Sequence, residues 1–237
     1  MRKLLWKEWH EQSWKLGFGC LVPSALAWIG LRSRIIADET MVEWVCFIGF
    51  TLLPILSSTG LVPAERAEGS LESLLAMPIN PWRILAAKTV MGMLLCAGPM
   101  GVAMVVSLLV AGGREISGDA MLSLYGRSML SGLSLFIWML ALTVRLPNET
   151  RAGLLAVGVL ILWAMFTGAL WSVHVDGSTV PRPLFALSPL AFVYPNPSGG
   201  PVPEALSVSL LAVQAVILSL LWLWSPRQLT KSLEALS

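Results

Sequence analysis

Apolar residues run through this chain in long blocks parted by short polar stretches, not in the alternation of strands or the one-sided stripe of soluble helices. Six blocks approach the roughly 20 residues a helix needs to cross a hydrocarbon core of about 30 Å. They lie at about 16–36, 44–63, 83–111, 121–144, 152–173 and 205–224. The pattern predicts an all-α membrane protein, residues 1–237 forming one transmembrane domain of six helices with both termini on one side. The first block is interrupted by Pro23 and closed by Arg32 and Arg34, whose long stems can carry their charges to the headgroups.

Ahead of the first block, residues 3–15 laid on a helix gather Leu5, Trp6 and Trp9, with Leu16 beyond, on one side, and Lys7, Glu8, Glu11 and Lys15 on the other. This predicts a separate amphipathic helix lying in the membrane interface. The stretch is basic but has no uninterrupted apolar core or small-residue cleavage site, so it is expected to be retained. Between the fifth and sixth blocks, residues 172–204 form a Pro-rich outer loop. Its apolar run "LFALSPLAFVYP" is too short to span and reads as interfacial or re-entrant.

Composition agrees with the blocks. The chain is 56% hydrophobic and 13% charged, where soluble domains carry about 25% charged residues. Eleven Trp fit an aromatic belt. A net charge of +2 gives no reason to expect nucleic acid as a partner. Of the 16 Lys and Arg, the side facing the N-terminus would hold all but Arg32, Arg34, Arg114, Arg127 and Arg182. The positive-inside rule then puts both termini in the cytoplasm. Cys20, Cys46 and Cys96 lie inside apolar runs without paired spacing and read as small hydrophobes, so neither a disulfide nor a metal site is expected.

The most informative polar stretch is "ERAEGSLESLLAMPINPW", residues 65–82, on the cytoplasmic side between the second and third blocks. Pro63 suits the first turn of a helix. Glu65, Glu68 and Glu72 then fall at i, i+3 and i+7 as one acidic face, with Leu71, Leu74 and Leu75 turned away. The helix should stop before Pro78, and Asn80 with Pro81 should cap and open the next. A plain loop would need only a few residues. A built helix with an apolar side implies something to bury it against, and an acidic side would suit a basic partner.

This stretch resembles the signature of type-2 permease subunits of ATP-binding-cassette (ABC) transporters, E-R-x-x-G-[ST]-L-E-x-L-L-x-x-P-[ILV], followed by a Lys where the third membrane helix begins. Glu65, Arg66, Gly69, Ser70, Leu71, Glu72, Leu74, Leu75, Pro78 and Lys88 occupy those places. The resemblance covers some 24 residues directly, and more loosely the six-helix layout, "LLWKEWHEQ" and the "LSPL" before the last helix. It implies a permease, an exporter of the prokaryotic cytoplasmic (inner) membrane. The permease would pair with a second permease subunit, as homodimer or heterodimer, and be driven by a cytoplasmic ABC ATPase subunit. The 63–82 hairpin would be the coupling element, with Glu65, Arg66, Glu68, Gly69, Ser70, Leu71, Glu72, Leu75 and Pro78 at the contact. No G-x-x-x-x-G-K-[ST] occurs in the chain, so nucleotide binding and hydrolysis belong to the partner and no cofactor is expected here.

Other polar positions carry weaker expectations. Arg127, within the fourth block, is either a snorkelling residue or part of a pathway or dimer interface. Gly98, Pro99 and Gly101, with Gly92 before them, form either a hinge or a close-packing site. His174 and Asp176 lack the further ligands a metal needs and read as a polar outer turn. The inner loop 145–153, "RLPNETRAG", either touches the same ATPase or is a plain connection. An ion-coupled secondary carrier would show charged groups in broken spans. A membrane-embedded enzyme would want paired intramembrane acids or His. The spans offer neither beyond Arg127.

Overall fold

The computed structural model describes residues 2–33, 36–75, 77, 79–111, 117–175, 187–190 and 204–234. Every regular element among them is an α-helix: α1 (Arg2–Ser33), α2 (Asp38–Leu61), α3 (Pro63–Ala67), α4 (Ser70–Leu75), α5 (Pro81–Ala111), α6 (Gly118–Thr143), α7 (Glu149–Val175) and α8 (Glu204–Glu234). Five stretches are long and apolar enough to cross a membrane: α1, α2 with α3, α5, α6, and Glu149–Ala169 of α7. In α8 the apolar part is Leu211–Pro226. The protein is a multi-pass integral membrane protein.

Helix starts follow local chemistry. Ser117 accepts a hydrogen bond from the Ala120 N–H to cap α6, and the Asn148 side chain accepts from Arg151 N–H at the start of α7. Asn80 accepts from the Trp82 N–H just ahead of Pro81, as expected. α1 lies along α5, and α2 along α6. Small residues permit these approaches: a Cβ on Gly92 would fall 2.0 Å from the Phe136 ring, and one on Gly49 would meet Met100. Leu61, Leu85, Leu95, Phe136 and Leu140 form the main apolar cluster at one end of this packing.

Two expectations are corrected. Residues 3–15 are not a separate interfacial helix: α1 is continuous over 32 residues, about 48 Å at 1.5 Å per residue. Nothing between Lys15 and Leu16 breaks a helix. Nor is its polar side wetted throughout: Glu8 and Gln12 are buried, while Trp6, Trp9 and Trp14 are exposed. The reason is a buried cation on α5, described below.

The glycine-rich part of α5 resolves unevenly. Gly98 meets the Leu16 side chain of α1 at 3.3 Å from where a Cβ would be, a close-packing contact, whereas Gly101 faces open space and α5 runs as helix through Pro99. Most of the outer loop, 176–186 and 191–203, lies outside the described residues, as do Arg34, Arg114, Asp176, Arg182 and Pro78, together with the side chains of Glu72 and His174. Of "LFALSPLAFVYP", Leu187–Leu190 are described, and Ser188 and Leu190 are buried. The Ser188 hydroxyl shares a 2.7 Å hydrogen bond with Thr167 of α7. Its carbonyl accepts from the Gln214 amide of α8 at 2.9 Å, and Gln214 in turn accepts from Ser134 of α6. A turn tied to three helices this way satisfies its polar groups away from water.

Candidate functional site

The stretch from Pro63 to Leu75 folds as two short helices, and its break is encoded at Gly69. That residue has φ 74°, in the left-handed region that glycine enters without a Cβ penalty. Glu68 and Gly69 close the first helix through bonds to Ala64 O and Arg66 O. Ser70 then starts the second, its hydroxyl reaching back to Glu65 O at 3.3 Å. A single helix from 63 to 75 with three glutamates on one face is therefore not formed.

The leucines do turn inward. Leu71 and Leu74 are buried and Leu75 is partly so, Leu71 and Leu75 packing on the cluster shared by α2, α5 and α6. What the hairpin buries its apolar side against is its own bundle. Exposed on it are Ala67, Glu68, Gly69, Ser73 and Met77, with Asn80 beyond. Met77 has no counterpart in the expectation from sequence, since an isolated methionine before a proline carries no signal of exposure.

Glu65 points inward, and with it comes the charged centre of the molecule. Lys88, in the second turn of α5, is 1% exposed. Its ammonium donates to Glu8 Oε1 at 2.9 Å and to the Leu61 carbonyl at 2.8 Å, and forms an ion pair with Glu65 Oε1 at 2.8 Å. The ammonium is thus held between α1, α3 and the end of α2. Lys7 adds a second ammonium, 3.2 Å from Glu65 Oε1 and 3.4 Å from Glu11 Oε1. Glu8, Glu11 and Glu65 present oxygens within 4.8 Å of one another, a spacing a cation could bridge, but Lys7 and Lys88 already supply two positive charges among them. Glu8 Oε2 and Glu65 Oε2 are buried without a hydrogen-bond partner.

Taking such charges out of water costs several kcal/mol per ion, which mutual attraction in good geometry offsets. The arrangement therefore adds little net stability. It does fix which surfaces of α1, the hairpin and α5 meet, because any slippage would leave a buried charge uncompensated.

Arg66 extends the linkage sideways. Its guanidinium donates to the Leu146 carbonyl at 3.3 Å, so the inner loop 145–153 is held by the hairpin, and Arg145 of that loop stacks over the Trp224 ring of α8 at 5.3 Å. Arg127 is half-buried on α6, away from this centre, and enters no ion pair among the described residues.

A family model described as ABC-2 family transporter protein matches residues 16–170, a span that takes in the hairpin, Lys88 and five of the long helices. The chain belongs to the ABC-2 transporter family. It is thus a membrane permease, a transport component that is not itself catalytic, of a family that associates with ABC ATPase subunits. A comparison with curated proteins gave no match. Within the permease, Glu65, Arg66 and Leu71 are inward-facing parts of the hairpin's mounting. The resemblance put all three at the coupling contact, while the sequence reading placed Glu65 on an outward acidic face and Leu71 on the apolar side. Glu8 it placed on a wetted face, although its spacing of four from Gln12 was the available sign of a polar stripe turned inward.

Proposed function

We propose that this permease is driven by a separate cytoplasmic ATPase subunit bearing on the exposed tip of the hairpin, at Glu68, Gly69, Ser73 and Met77. The displacement then passes to α1 and α5 together through the Lys88 ion cluster. The observation that carries the reading is that cluster: Lys88 is shared by Glu65 on the hairpin and Glu8 on α1, so the three elements move as one body or break a buried charge contact. Rigid-body shifts at such interfaces are the usual means by which a small push becomes a switch. Arg66 on Leu146 O and Arg145 on Trp224 carry the same displacement toward α7 and α8.

In this reading α8 is the sixth span and both termini are cytoplasmic, a placement that the distribution of Lys and Arg supports. The host membrane is a prokaryotic inner membrane. A second permease subunit, identical or related, completes the pathway. Export is the direction that the resemblance implies.

The test is the pair Glu68→Lys with Met77→Asp, two exposed positions whose change leaves the buried cluster untouched. In proteoliposomes with the partner ATPase, loss of one good interface contact of about 1.4 kcal/mol should lower permease-dependent ATP hydrolysis about tenfold. Unaltered hydrolysis and unaltered co-purification would remove the hairpin tip as the contact.

A further inference from the structure

Between α1 and α2, toward the end of the bundle that carries the hairpin, lies a cavity of about 340 Å³. Its walls are apolar: Phe18 and Val22 of α1, and Leu52 and Leu56 of α2, all exposed and facing the surroundings of the bundle. Two charged side chains line it, Lys15 and Glu149, and they are of opposite sign.

Neither charge is neutralised by an ion pair among the described residues, and Glu149 is exposed. Lys15 sits over the Trp14 ring, 5.7 Å from its centre, and among the described residues its ammonium has no hydrogen-bond acceptor and no ion pair. The Glu149 carboxylate, at the first turn of α7, likewise has no partner among them, Lys15 included. The lysine is nonetheless seated. A Cβ at Gly60 would lie 2.8 Å from Lys15 Nζ, so the absence of a side chain there is what lets the ammonium rest against the inner turn of α2.

An apolar trough that ends in one cation and one anion is complementary to an amphiphile with an acyl chain and a head bearing both charges. We propose that it holds one zwitterionic phospholipid, a phosphatidylethanolamine, its chain along Phe18, Val22, Leu52 and Leu56. The phosphate pairs with Lys15 and the primary ammonium with Glu149. An anionic lipid would meet Lys15 equally well but would bring no cation to Glu149. A choline head would bring a cation with no N–H to donate. Charge-assisted hydrogen bonds to both ends select the ethanolamine head.

The test is native mass spectrometry of the detergent-purified permease after incubation with equimolar phosphatidylethanolamine, phosphatidylglycerol and phosphatidylcholine. The wild-type chain should keep one ethanolamine lipid in preference to the other two. Lys15→Gln should lower that retention about tenfold, the effect of losing one charge-assisted bond. Gly60→Ala should do the same by displacing the lysine tip, a flexible group whose movement leaves the helix packing and the thermal midpoint intact. Glu149→Gln should shift the bound lipid toward phosphatidylglycerol. Equal retention of all three lipids by the wild type, or undiminished retention in both Lys15→Gln and Gly60→Ala, would overturn the proposal. So would a second copy of the chain occupying the groove, read as a dimer mass that Leu56→Trp abolishes with no change in lipid. Because the readout is binding, it fails or succeeds independently of ATPase coupling.

Discussion

Lys88 is the residue on which the others depend. It is fully enclosed and its ammonium touches two carboxylates and a carbonyl. Removing one partner of such a set exposes the remainder to an unpaired buried charge, so Lys88→Met should destabilise the purified protein by about 3–5 kcal/mol, seen as a large fall in its thermal midpoint in detergent. Replacing all three charged groups by apolar ones, Lys88→Met with Glu8→Leu and Glu65→Leu, should recover most of that loss, since well-packed hydrophobes often match a buried ion set. If coupling runs through the cluster, the recovered protein should still fail to stimulate its ATPase. Half of the cluster could be read in the sequence: Glu65 and Lys88 stand at motif positions. Glu8 carried only the weak sign of its spacing from Gln12, because a glutamate among lysines looks like a wetted residue until the opposing cation is known.

At the scale of the helices, the apolar blocks predicted every long element, because uninterrupted hydrophobicity and backbone self-satisfaction leave few alternatives in lipid. Boundaries failed where they depended on tertiary partners. α1 runs unbroken from Arg2 because Glu8 and Gln12 dock on the bundle, and the hairpin is two helices because Gly69 takes a positive φ. Gly69→Val has ample room for its Cβ but pays for the backbone, about 1–2 kcal/mol, and should weaken ATPase stimulation by misplacing the tip. Gly92→Ala is different in kind. Its methyl would strike Phe136 and Leu61, and overpacking of this sort costs about 1–3 kcal/mol. Gly101→Ala, facing open space, should be neutral in both thermal midpoint and transport. A hinge at Gly101 would instead show as transport lost with the fold intact.

Across the described residues, the largest polar ties among the apolar helices are the Lys88 cluster at one end and the Ser134–Gln214–Ser188–Thr167 chain among α6, α7, α8 and the Leu187–Leu190 turn. Interhelical hydrogen bonds in membranes average about 0.6 kcal/mol. Gln214→Leu should therefore leave the protein folded, with a loss of about 1 kcal/mol in detergent unfolding, while faster deuterium uptake at Ser188 and Leu190 reports the released turn. The pairings Lys88–Glu8 and Ser134–Gln214 could not be read from a single sequence, since each joins residues 80 positions apart that no local pattern relates.

The enclosure of Glu8 bears on how the amino end can be handled. A version of the chain trimmed to start after Gln12 would leave Lys88 with Glu65 as its one carboxylate beside the Leu61 carbonyl, and Lys7 would be missing from the outer rim. Such trimming should lower the amount of folded protein recovered from the membrane, because it leaves a buried ammonium short of one carboxylate. A tag placed ahead of Arg2 leaves those contacts in reach and is the safer handle for purification.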